Sequence, residues 1–275
     1  MFNSTDLFLA PTDSMRTLIT LIFLSFLSPA TPHIDRDFPV MPATTAATPR
    51  WPLVCEPTLR DTVQFQWVAK TGETPDRAAI TRQLTDIARQ VNWLFWRDSD
   101  SFTEARLPAW KVTADCSLDV RFEDAPAAGT IPAAGGVKLI QIEPDDSYCG
   151  YAFLAPDDRP GPDNVHNGSG FAAVARRCLS AYVVTHELLH LLGAVQPGAP
   201  HGTEDFHTTQ FDIMGTISAD NCGIYDKIDC GNDDYFSLSP GDRFTNRWNS
   251  ADSIFLVSVP KHLAWLPIHT RCKSC

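Results

Sequence analysis

Apolar and polar residues alternate over Thr62–Ala69 (TVQFQWVA), a stretch rich in β-formers, and this period predicts a strand. The period changes just beyond it. Ile80, Leu84, Ile87, Val91 and Leu94 recur at helical spacing, which predicts a long helix running to about Phe95. Thr74-Pro75-Asp76 reads as its start, with Thr74 as N-cap, Pro75 in the first turn and an early acid. Leu118–Phe122 and Val137–Ile142 are further strand candidates, and 156–170 is a long loop of Pro, Gly, Asn and Asp. A second helix is predicted from about Leu179 to Leu192, stopped by Gly193. Periodicity then fades into a loop-rich C-terminal half with short apolar runs such as Ser253–Val259. The order of elements predicts an α+β fold with one core. Neither a G-x-G-x-x-G turn nor a Walker sequence is present.

The amino terminus follows another pattern. Residues 17–27 (TLITLIFLSFL) are an uncharged apolar run, too short to span a bilayer as a helix. Arg16 precedes it and Ser28-Pro29-Ala30 follows, so residues 1–30 read as a secretory signal peptide. The acidic residues before Arg16 make Met15 a candidate true start. Residues 31–54, with prolines among Thr and Ala, read as a leader or pro-segment, and 55–275 as the folded domain. An exported chain is expected to be extracellular, monomeric and free of the membrane once the signal is removed. Export also makes disulfide candidates of the eight cysteines. A net charge of −11 argues against a nucleic-acid partner, whose phosphates demand basic surfaces.

The second helix carries His186-Glu187-Leu188-Leu189-His190. Two histidines at i and i+4 share one helix face, so both imidazoles can reach one metal ion. Glu187 is offset to the side, where its carboxylate reaches water held by the metal. Zn²⁺ bound there acidifies that water and polarises a carbonyl, and Glu187 accepts the proton as general base. A chain of this composition holds such a pattern by chance roughly 0.006 times. The sequence leaves the third ligand open among His201, Asp205, His207 and Asp212.

The motif continues to Gly193, and Asp212-Ile213-Met214-Gly215 follows. HExxHxxG with a Met-turn resembles the metzincin zinc endopeptidases, in particular secreted bacterial metalloproteases. The likeness runs over roughly 55–258. It includes Tyr148-Cys149-Gly150, Ala199-Pro200-His201, Cys230-Gly231-Asn232-Asp233-Asp234-Tyr235-Phe236 and Trp248-Asn249. It implies a mixed sheet with a long first helix and an active-site helix, a disulfide-reinforced C-terminal half, and hydrolysis of peptides or proteins. It implies His186, His190 and His207 as zinc ligands, Glu187 as catalytic residue and Met214 beneath the metal.

The chain departs from that pattern at three places. Gln196 stands where metzincins place a His or Asp ligand. Thr208 and Gly215 stand where relatives carry a local cysteine pair, so a looser His207 loop is expected. Thr216-Ile217-Ser218 follows the Met-turn in place of a tyrosine, leaving Tyr225 and Tyr235 as candidate oxyanion donors. Order and resemblance together pair Cys55 with Cys116, Cys149 with Cys178 and Cys222 with Cys230. Oxygen ligands at Asn232, Asp233 and Asp234, or at Asp157, Asp158 and Asp163, are candidates for Ca²⁺. A catalytically decayed binding protein on the same scaffold and a zinc amidase are the competing functions.

Overall fold

A computed structural model describes residues 31–35, 51–124, 136–144, 147–215 and 227–261. The expected signal peptide, Met15, Thr216–Ser218, Cys222, Tyr225, Cys272 and Cys275 lie outside the described residues. No described helix is long and apolar enough to cross a membrane.

Among the described residues, eight strands and two α-helices build a mixed α/β fold: β1 (Thr31–Asp35), β2 (Thr62–Ala69), α1 (Arg77–Asp98), β3 (Glu104–Pro108), β4 (Arg121–Asp124), β5 (Val137–Glu143), β6 (Gly150–Leu154), β7 (Gly170–Ala175), α2 (Ala181–Leu191) and β8 (Leu256–Pro260). The main sheet has the order β1-β6-β7-β5-β2-β4, and β3 pairs with β8 separately. Strands β4, β2, β5 and β7 run parallel, while β6 is antiparallel to β7.

Strand β2 alternates in chemistry but is buried along its whole length. Parallel strands covered on both faces explain this. One of its polar groups is matched inside the sheet: Gln141 Nε2 on β5 donates to Gln66 Oε1 at 2.6 Å.

Helix α1 buries the expected stripe of Ile80, Leu84, Ile87, Val91 and Leu94. Its cap differs from the expected one. Asp76, not Thr74, is the N-cap, and its carboxylate accepts from Ala79 N at 3.0 Å. Either residue type caps well, but Asp76 sits where its oxygen reaches an orphan amide of the first turn. The helix also runs one turn past Phe95, to Asp98.

Trp51 packs onto α1. Its ring stacks on Trp96, with centroids 4.7 Å apart, and its N–H donates to Arg89 O. Strand β1 lies within the segment read as a leader. Cys55–Cys116 and Cys149–Cys178 are bonded as expected. Cys230 is also disulfide-bonded.

Candidate metal centre

Helix α2 starts at Ser180, whose hydroxyl accepts from Val183 N, and packs against β5, β6, β7 and α1. Every residue of the helix is buried. Leu188, Leu189, Leu191 and Leu192 join the core and fix its rotation, which places His186, Glu187 and His190 together. The stop is chemically specific. Gly193 has φ +81°, and any side chain there would set its Cβ 2.5 Å from His166 Cγ and 2.8 Å from Trp248 Nε1. Glycine therefore serves both the left-handed turn and the close approach.

His186, His190 and His207 are all buried, and their ligand atoms lie within 4.8 Å of one another, so the group can hold a metal ion. His186 Nδ1 lies 2.7 Å from Ile213 O, which assigns the proton to Nδ1 and the lone pair to Nε2. His186 Nε2 and His207 Nε2 are 3.3 Å apart. Two nitrogens bound tetrahedrally at about 2.0–2.1 Å from zinc are separated by about 3.3–3.4 Å, so the spacing fits that ion.

The His207 arm is held by its own chain. Thr203 Oγ1 donates to His207 O at 2.8 Å and accepts from His207 N at 3.1 Å. Asp205 Oδ2 lies 3.5 Å from His207 Nδ1, on the side of the ring away from the cluster. Asp205 is thus a partner of a candidate ligand rather than a member of the group.

Asp212 organises the turn beneath. Its Oδ1 accepts from Met214 N and from Thr208 Oγ1, each at 2.9 Å, and Oδ2 accepts from Cys230 N. Burial pushes its carboxyl up to about 7. Thr208 and Gly215 face one another across a backbone bridge, with Thr208 N donating to Met214 O. A side chain at 215 would press on the Gln210 backbone, with its Cβ 2.9 Å from Gln210 C. Hydrogen bonds join the loop at the two positions where the resembled pattern has cysteines. Met214 is fully buried.

Gln196 has a different task from a ligand. Its Oε1 accepts from Asp157 N at 2.8 Å, and its Nε2 lies 3.2 Å from Gly193 O and 3.1 Å from His166 Nε2. It ties the helix exit to the 157–167 loop. Val195 precedes it with φ +53°, unusual for a β-branched residue, and turns the chain at that point.

Gly150 is the residue that sequence reasoning left without a role. A Cβ there would lie 2.6 Å from Glu187 Cδ, so the start of β6 gives the carboxylate its room.

Other sequence candidates lie apart from this group. His201 pairs with Asp234. Tyr235 is buried beside Asp212, Asp229 and Asp234, and burial drives its phenol well above the usual value. Asp157 binds Arg159 and Val165 N, and Asp158 binds Trp248 N, as loop ties. Among the described residues, two groups could hold a metal: the three histidines, and His201 with Asp233 and Asp234.

No family model matches this chain, and no curated protein does. Among solved structures it shows slight similarity to metalloproteinase-II from Bacteroides fragilis, at a TM-score of 0.26 and 16% identity over 62% of this chain and 51% of that one. It is also similar to a chaperone–substrate complex, at a TM-score of 0.23 and 15% identity over 62% of this chain and 33% of that one. The matches span about half and one third of those proteins, and likeness of this degree assigns neither family nor activity.

Proposed function

We propose that the protein is a secreted zinc-dependent endopeptidase that cuts peptide or protein substrates, acting as a monomer outside the cell. The carrying observation is the 3.3 Å separation of His186 Nε2 and His207 Nε2, with the His186 tautomer fixed by Ile213 O and His190 completing a buried trio. Three histidines are the donor set of catalytic rather than structural zinc, which leaves a fourth position to water or substrate. Zinc held there supplies a Lewis acid and a more acidic water.

The chain's own residues do the rest. Glu187, adjacent to His186 and lodged against Gly150, accepts the proton of the attacking water. It then returns that proton to the departing amine, so one carboxylate serves both halves of the cleavage. Ile213 O orients His186 through Nδ1, and the Thr203 hydroxyl holds the His207 backbone. Gln196 belongs to the loop tie, so its departure from the metzincin pattern removes no ligand from this trio.

Glu187→Ala should retain zinc and fold but lose casein hydrolysis. His207→Ala should lose both zinc and hydrolysis. Full hydrolysis by the Glu187 variant would overturn the mechanism, and zinc retained without activity in the native chain would favour the decayed binding protein.

A further inference from the structure

The arm that carries His207 is paired with a second polar cluster. His201 follows Pro200, and its backbone N–H donates to Asp234 Oδ1 at 2.7 Å. Its ring Nδ1 lies 3.2 and 3.0 Å from the two oxygens of Asp234 and 2.8 Å from Gln210 Nε2. Asp233 completes a set whose ligand atoms lie within 4.8 Å of one another.

These contacts conflict as hydrogen bonds while the Gln210 amide nitrogen faces the ring. A ring nitrogen carries either a proton or a lone pair. With a proton, Nδ1 suits Asp234 but faces the amide donor of Gln210. With a lone pair, it suits Gln210 but faces the carboxylate. Two buried oxygens add to the mismatch. Gln210 is only 8% exposed, and its Oε1 has no hydrogen-bond partner; nor has Asp233 Oδ1. The Gln210 amide already touches His201, so its oxygen needs only an end-for-end turn to face the same centre.

Carboxyl groups crowd this centre, and burial raises the titration of Asp212, Asp229 and Asp234. The Asp234 side chain is fully buried, and Asp212 and Asp229 lie near it as further carboxylates. Arg243 reaches Asp233 Oδ2 at 3.6 Å from an exposed position, and Arg247 is spent on the carbonyls of Gly198 and Asp233. With the Gln210 amide so turned, a cation among His201, Asp233 and Asp234 gives the Gln210 and Asp233 oxygens a shared partner and takes the lone pair of the ring nitrogen.

We propose that His201, Asp233 and Asp234, with the Gln210 carbonyl oxygen, form a second divalent-metal site distinct from the three histidines. The imidazole selects the ion: Ca²⁺ takes oxygen ligands, whereas mixed nitrogen and oxygen suit a zinc-class metal. The calcium expected at Asn232–Asp234 from oxygens alone is replaced by this reading.

The ion's role is a clip. Thr209 N donates to His201 O at 2.8 Å, Gly202 pairs with Thr208, and Thr203 N donates to His207 O at 2.7 Å. Metal at His201 therefore fastens the His207 arm to the 229–236 loop, where relatives of the resembled family are expected to use cysteines. The site itself stands apart from the endopeptidase reading; only the bracing of His207 rests on it.

Zinc equivalents per chain, measured on the full-length protein after desalting, test the proposal. About two equivalents are expected for the native protein and about one for His201→Gln, Asp234→Asn and His190→Ala. His201→Gln alters a partly exposed ring and guards against a folding failure of the buried Asp234 variant. It should also speed chelator-driven zinc loss from the remaining site by about tenfold. One native equivalent that vanishes in His190→Ala but survives His201→Gln overturns the second site and leaves the trio. One that survives His190→Ala but vanishes in His201→Gln upholds the second site and overturns the trio. Zinc absent from all four proteins overturns both.

Discussion

Replacing Gly150 with alanine should silence Glu187 while leaving the three histidines loaded. The new Cβ would sit 2.6 Å from Glu187 Cδ and 3.0 Å from Cγ. Carbon atoms rest at about 3.5–4.0 Å, so the carboxylate must retreat by about 1 Å. A displacement of that size at a reacting group costs about 100-fold in rate. The strain of fitting the methyl into a packed site costs about 1–3 kcal/mol of stability. The backbone at 150 does not require the left-handed region, so conformation itself adds no penalty. Turnover of a fluorogenic peptide at saturating zinc, zinc content and a thermal melt together read the result. Combining Gly150→Ala with Glu187→Ala separates the routes: the double variant should be no slower than Glu187→Ala alone. A native rate in folded, zinc-loaded Gly150→Ala would refute the placement of Glu187 in the reaction.

Gln196→His restores the residue type of the resembled pattern, yet should add no zinc and should destabilise by about 2–4 kcal/mol, because Asp157 N and Gly193 O lose a buried partner; a gain in zinc content would contradict this. Asp212→Ala removes the acceptor of Met214 N, Thr208 Oγ1 and Cys230 N, and should weaken zinc retention by about tenfold or more in a chelator competition; unchanged retention would deny the turn its part in holding His207. His166 is held neutral by burial, down to about 4 from 6.5. Its contribution is thus complete above pH 6.5 and lost as pH falls toward 4. About 3 kcal/mol of stability should disappear across that window in denaturant titrations, and His166→Asn should flatten the slope; an identical slope would refute it.

Much of the scaffold was legible because its patterns are local. The 3.6 period at Ile80–Leu94 and the i, i+4 histidines of α2 depend on neighbours in sequence, and both fall where expected. Strands β6 and β7 escaped notice because GYAFL and GFAAVA, rich in glycine and alanine, show no clean alternation and gain their partners only within the sheet. The cap of α1 shifted by two residues because Thr74 and Asp76 are both competent, and only geometry chooses between them. At the site, His207 had rivals because its position depends on how a loop folds back 17 residues beyond His190. Gly150 and Gln196 were opaque for the same reason: the carboxylate they make room for, or the amide they bind, lies more than 30 residues away in the chain.

The most direct measurement is an anomalous-scattering map at the zinc edge from crystals of the zinc-loaded full-length protein. The account predicts a peak bound by His186, His190 and His207, beside the Glu187 carboxylate. Zinc density confined to His201, Asp233 and Asp234, with none among the three histidines, would contradict it.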